Sequence, residues 1–301
     1  MRQLSDNTKG IFYLILSAFF FALMAALVKL AGHIHFVQKS FFRNSVAFII
    51  AFFYLLKERK EKGADAVKIP QGSLKWLILR SCGGTIGIFG NFYAIDHLVL
   101  SDASILNKMS PFFAIVFSLI ILREKIKSVP LIAIIIAFLG SMLVVKPSFN
   151  FTEFLPTAAG FAGGIGAGLA YSCVRKLGTM NCNGKIIVFF FSGFSMLFSV
   201  PYMITSFNPM TLSQVLLLVG GGIAAAGGQF AITAAYYHAP ARDISIYDYT
   251  QLIFSTLFGI IFFDQIADLY SIIGYAIIVS MALLNFVWTK KNHEKEAALS
   301  E

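Results

Sequence analysis

Long uncharged apolar runs alternate with short polar ones along the whole chain. Ten runs stand out, at roughly 10–31, 36–56, 75–95, 101–122, 129–146, 157–176, 184–206, 212–236, 243–263 and 269–288. Each has about the 20 residues that a helix needs to cross a hydrocarbon core of about 30 Å. The pattern predicts an all-α integral membrane protein with ten transmembrane helices. The run 157–176, TAAGFAGGIGAGLAYSCVRK, is unusually rich in Gly and Ala, and a loop is its alternative reading. Gly160, Gly164 and Gly168 have the spacing that lets helix backbones approach closely in lipid. The first run is longer than the 7–15 residues of a signal-peptide core and is followed by no clear cleavage site, so it reads as a retained helix.

Composition agrees. The chain is 57% hydrophobic and 13% charged, against roughly 25% charged in soluble domains. A formal charge of +9 would suggest nucleic acid as the partner of a soluble chain. Here membrane topology accounts for it, and nucleic acid is excluded. The cations collect in alternate loops: Arg2 and Lys9; six between 57 and 75; Arg123, Lys125 and Lys127; Arg175, Lys176 and Lys185; Arg242; and Lys290, Lys291 and Lys295. The opposite loops hold Lys29, Lys39 and Lys146. That asymmetry predicts cytoplasmic termini in a plasma-membrane protein. Cys82, Cys173 and Cys182 form neither a paired framework nor a metal-ligand spacing.

The two halves repeat. SCGGTIGIFGNF at 81–92 matches VGGGIAAAGGQF at 219–230, pairing Asn91 with Gln229. Five helices per half is an odd number, so the second half must be inverted. Residues 10–146 and 157–288 are the two expected units, with 289–301 as a charged cytoplasmic tail. Inverted repeats place a solute site near the membrane midplane, between the halves.

Charges inside the spans mark that site. Lys108 lies about 10 Å into the fourth span, where a charge costs at least about 2.5–3.5 kcal/mol unless it faces protein or a wet cavity. Pro111 cannot donate to the carbonyl of Asn107, so a freed carbonyl lies beside the lysine. Asp248, flanked by Tyr247, Tyr249 and Gln251, occupies the equivalent place in the second half. If both helices stand upright, Lys108 and Asp248 differ in depth by about 10 Å. They can pair directly or hold opposite ends of a dipolar solute. Arg43 has a depth like that of Lys108, with snorkelling to the outer headgroups as the alternative. Arg80, close to a cytoplasmic helix end, reads as a snorkelling residue; Asp96 and Asp102 lie at the outer boundary. Asn91, Gln229 and Tyr93 complete the candidates, while Tyr236 and Tyr237 read as interfacial anchors. Two deep cations against one deep anion favour a solute with a negative group.

The stretches NFYAIDHLVLSDASILNKMSPFFAIVFSLIILREKI at 91–126, IIIAFLGSMLVV at 134–145 and AAYYHAPARDISIYDYTQLIFSTLFGIIFFDQI at 234–266 resemble the EamA branch of the drug/metabolite transporter superfamily. Glu124 fits the family's helix-terminal acid and Asp264 stands in its place in the second copy. Gln251 replaces the mid-helix proline, so a weaker kink is expected there. The resemblance implies alternating access around a central cavity lined by the first, third, fourth, sixth, eighth and ninth spans. Arg43, on the second, lies outside that set.

The expected function is secondary active transport of a small polar metabolite that is amino-acid-like, zwitterionic or carboxylated. Asp248 is the candidate carrier of a coupling proton, another ion being the alternative. No phosphate loop is present, no cofactor is implied, and no catalytic constellation for a membrane enzyme is found. Export of cationic drugs or metabolites through Asp248 and its tyrosines is the alternative, and a non-transporting receptor or scaffold is the second. The implied partners are a solute and the bilayer; a homodimer is left open.

Overall fold

The computed structural model describes residues 6–98, 100–124, 127–147, 154–264 and 266–298, the segments 100–102 and 293–298 by backbone only. Among the described residues every regular element is helical. The helices are α1 (Asp6–Leu30), α2 (Phe36–Lys62), α3 (Leu74–His97), α4 (Leu100–Asn107), α5 (Ser110–Leu122), α6 (Ser128–Val145), α7 (Phe154–Thr179), α8 (Gly184–Thr205), α9 (Leu212–His238), α10 (Ala241–Ile244), α11 (Thr250–Phe263) and α12 (Leu269–Ala298). Short 3-10 turns cover Ala64–Val67 and Ser245–Tyr249. The fourth span is α4 with α5, and the ninth is α10, a 3-10 turn and α11.

Counting those two composites as single spans, nine segments are long and apolar enough to cross a membrane among the described residues. The tenth, α3, has the length but carries Lys75, Arg80 and Asp96. Phe53, Ile120, Leu197 and Ile204 stand well exposed on the outside of the bundle. In water they would be anomalies; against acyl chains they lose nothing. Helix starts follow local chemistry. Asn183 accepts from the Lys185 amide at 2.9 Å to open α8. Thr211 and Gln214 form a reciprocal capping box on α9, satisfying amides that the first turn leaves free. The last helix, α12, runs on past its apolar part into the charged segment, as far as Ala298.

Packing follows the repeat. α3 runs along α7, and α1 along α9. α5 packs on α7 as α11 packs on α1, while α2 meets α8 and α6 meets α12. Exchanging each span with the one five positions later converts this set of pairs into itself. The matched glycines make matching contacts. A side chain on Gly84 would meet Phe191 of α8, and one on Gly222 would meet Val46 of α2. Gly90 lies against α7 and Gly228 against Phe21 of α1.

The Gly-rich run 157–176 is helix, and both of its faces are used. Gly163 and Gly166 meet the backbone of α3, where an added Cβ would lie 3.0 Å from the Asn91 amide and 2.5 Å from the Gly83 carbonyl. Gly160 and Gly164 face Leu106 of α4, and Gly168 faces Phe113 of α5. Ser172 then donates to the Ala114 carbonyl at 2.8 Å.

Both ends of the bundle are tied by polar links. At the end that holds the start of α1, Glu58 accepts from Lys185 at 2.7 Å, Lys62 at 2.9 Å and Asn183 at 3.0 Å. There too Arg175 bridges Glu124 and the Tyr237 carbonyl. At the opposite end Gln38 exchanges two hydrogen bonds with Asn208, Lys39 pairs with Asp96 at 3.7 Å, and Lys146 pairs with Asp268. The Asp102 side chain lies outside the described residues.

Gly166→Val should force α3 and α7 apart and cost about 1–3 kcal/mol or more, as overpacking does. Gly220→Ala, whose Cβ meets only Leu27 at 3.6 Å, should be neutral or stabilising. Thermal melting in detergent checks both; equal effects would contradict the backbone seam.

Candidate functional site

Two helix breaks meet at the centre of the bundle. In the fourth span, Pro111 leaves the Asn107 carbonyl without an amide donor, and the helix is interrupted at Lys108 and Met109. The Phe112 amide donates to the Met109 carbonyl at 3.0 Å, which leaves the Lys108 carbonyl free as well. In the ninth span the chain tightens into the 3-10 turn Ser245–Tyr249. Tyr249 there donates its hydroxyl to the Lys108 carbonyl at 3.1 Å. Lys108 in turn donates to the Asp248 carbonyl at 3.2 Å, to the Asp248 carboxylate at 3.0 Å and to Gln251 Oε1 at 2.7 Å. Each half thus satisfies the backbone that the other half exposes. Lys108 is 4% exposed and Asp248 6%, so the pair is shielded from solvent and its three donations match the three protons of an ammonium.

Two expectations are corrected. Lys108 and Asp248 do not differ in depth by 10 Å, because broken helices let the side chains meet. Nor is the second break weaker for lack of proline. Side chains hold it: Thr250 donates to the Tyr247 carbonyl at 2.6 Å, Tyr247 to the Ala282 carbonyl at 3.1 Å, and Asn285 to the Asp243 carbonyl at 2.8 Å.

Beside this link lies a cavity of about 130 Å³, walled by all but the two peripheral spans, the fifth and tenth. Asn91, Asn107, Gln229, Asp248 and Gln251 line it. Arg43 lines it too, although it belongs to the second span. It is 9% exposed and bonds Asn44 Oδ1 at 2.9 Å, so it does not snorkel. Tyr249 and Lys108 stand behind the wall, in the link. Tyr247 is turned to α12. Tyr93 lies off the cavity, packed on His97 and Phe36.

The residue that sequence reasoning misplaced is Arg80. It is 2% exposed, not snorkelling, and it lines the cavity. Its guanidinium lies over the Phe191 ring at 3.6 Å, a cation–π contact. One turn on, Gly84 leaves it room: a Cβ there would collide with Arg80 Nη1. The signal was present in the G-G pair at 83–84, directly after the arginine's turn. Tyr171 was missed outright; it lines the cavity and stacks on Tyr236 at 4.8 Å. Tyr236 is fully buried and bonds Ser245 at 3.2 Å, so it is no interfacial anchor. Cys82, Cys173 and Cys182 are free thiols.

Removing one partner of the buried pair should be costly, about 3–5 kcal/mol for Lys108→Met or Asp248→Asn. The double variant Lys108→Met/Asp248→Met should recover part of that loss. Denaturant or thermal melting of the purified proteins checks this; additive losses would mean that the two side chains do not depend on each other.

Comparison with known proteins agrees with this geometry. Residues 8–146 match the model of the EamA-like transporter family. The pseudopaline exporter CntI of Pseudomonas aeruginosa is 30% identical over 94% of this chain and 97% of its own length. An uncharacterised transporter of Helicobacter pylori is 28% identical over 91% and 93%. Human solute carrier family 35 member G1 is 24% identical over 90% of this chain and 77% of its own. A solved crystal structure superposes with a TM-score of 0.80 at 13% identity, covering 93% of this chain and 98% of the other. On these matches the chain belongs to the EamA-like transporter family.

Proposed function

We propose that the chain is a secondary active transporter that moves a small polar metabolite with a negative group across the plasma membrane. The favoured solutes are amino-acid-like, zwitterionic or carboxylated. The observation that carries this reading is the charge around the cavity. Lys108 neutralises Asp248, and Arg43 and Arg80 remain as buried cations on the wall. A solute anion would balance them, and buried charge without balance is costly.

The same geometry suits alternating access. The Lys108–Asp248 link joins the two repeats, 10–146 and 157–288, at their centre. Protonating Asp248 would remove the charge from one arm of that link, and a proton is the coupling ion we propose. The basic loops support cytoplasmic termini. The name of the Pseudomonas relative supports outward movement, that is, export. Asn91 and Gln229, matched by the repeat and both on the wall, supply uncharged hydrogen-bonding groups for the rest of the solute.

The test is flux of labelled glutamate and succinate in liposomes holding the purified chain, with and without an imposed pH gradient. Wild type should carry at least one of them. Lys108→Ala should lower flux at least tenfold while inserting normally, and Asp248→Asn should lose the response to the pH gradient. Full flux in the lysine variant would sink the role of the link. Flux of Asp248→Asn that still follows the gradient would remove Asp248 as the proton carrier.

A further inference from the structure

We infer that the cavity takes a doubly negative solute with two separated carboxylates, one held by Arg43 and the other by Arg80. This rests on the transporter reading only for where the solute sits. It goes further in naming the charge, the spacing and the two residues that set them.

The first observation is that neither arginine is matched. Among the described residues neither forms an ion pair. Arg80 Nε and Nη1 are buried without a hydrogen-bond partner, and Arg43 has the neutral Asn44 amide as its acceptor. A guanidinium carries five donors in a planar fork suited to a carboxylate. The second observation is that the local anion is already engaged. Asp248 lies on the wall, but Lys108 holds its carboxylate at 3.0 Å. The described cations and anion therefore leave two positive charges on one small cavity.

The third observation is direction. Arg43 lies seven residues after the start of α2 and Arg80 six after the start of α3. These consecutive spans run oppositely through the bundle. At 1.5 Å per residue, each arginine is about 10 Å from its own helix start, and the two starts are at opposite ends. Both guanidiniums line the one cavity, from helices that run in opposite directions. A short diacid offers one carboxylate to each planar fork. The cavity volume of about 130 Å³ holds more than one water, and so has room for a small solute.

The packing around Arg80 fits a binding role. Phe191 packs on the guanidinium from one side, and Gly84 leaves room for the guanidinium itself. Lysine in its place would keep the charge but lose the fork.

The experiment is thermal stabilisation of the purified full chain by succinate, butyrate, succinamide, glycerol 3-phosphate and putrescine. Succinate should half-saturate at a concentration at least tenfold below butyrate, and succinamide and putrescine should not stabilise. Arg80→Gln and Arg43→Gln should each weaken succinate at least tenfold, with Arg80→Lys in between. Without ligand, Arg80→Gln should melt no lower than wild type, since an unmatched buried charge has been removed; a purely structural arginine would give a lower melt. Gly84→Ala keeps both charges but displaces the Arg80 tip, and should weaken succinate several-fold. The inference is overturned if butyrate equals succinate, if glycerol 3-phosphate alone binds, if putrescine binds instead, if no probe binds, or if Arg80→Gln binds succinate normally. Binding of succinate without flux in liposomes would leave this site standing and remove the transporter reading instead.

Discussion

The centre of this protein depends on one reciprocal exchange. Lys108 reaches the carbonyl and carboxylate of Asp248, and Tyr249 reaches back to the carbonyl of Lys108. In a bilayer a broken helix is tolerated only where its freed groups find protein or water. Each break draws on the other. The fourth span takes the tyrosine of the ninth, and the ninth takes the lysine of the fourth. Helix irregularity, a buried charge pair and the contact between the two halves are therefore one feature. The pair is not a device for stability as such, since a well-packed apolar core would serve as well. Its distinctive property is that both partners lie where a span's regular helix is interrupted.

Around that link the fold does two things. Glycines bring α3, α7, α4 and α5 into backbone contact on one side, and the polar ties at the two ends hold the remaining helices in place. What is left between them is a small polar cavity whose positive residues outnumber its free negative ones. Membership of the EamA-like transporter family makes the chain a membrane transporter; the electrostatic imbalance is a separate property of this chain's cavity.

Much of this was legible in the sequence because membrane physics leaves strong traces. Apolar runs of span length mark helices, and an odd-numbered repeat implies inversion. A lysine beside a proline in a span marks a cavity or a link. Depth was less legible. Counting residues along upright helices separated Lys108 from Asp248, since the 3-10 turn of the ninth span has no proline to announce it. Arg80 failed for a related reason. Its position along α3 suggested a route to water, but direction is set by neighbours, here Phe191 and the missing side chain at Gly84. Tyr236 looked like an anchor because it is near a helix end, yet the α10 segment folds over it. Arg43 is buried on the cavity wall although it belongs to the second span, which the family resemblance leaves out of the lining.

The glycine seam of α7 has a counterpart with a different texture. Where α7 offers bare backbone to α3, the related helix α1 offers Phe20 and Phe21 to Gly227 and Gly228 of α9. One seam is largely backbone against backbone, so its spacing is set by glycine carbonyls and amides. The other is set by aromatic rings lodged over glycines. Two halves alike in topology therefore hold the same helix spacing by different means.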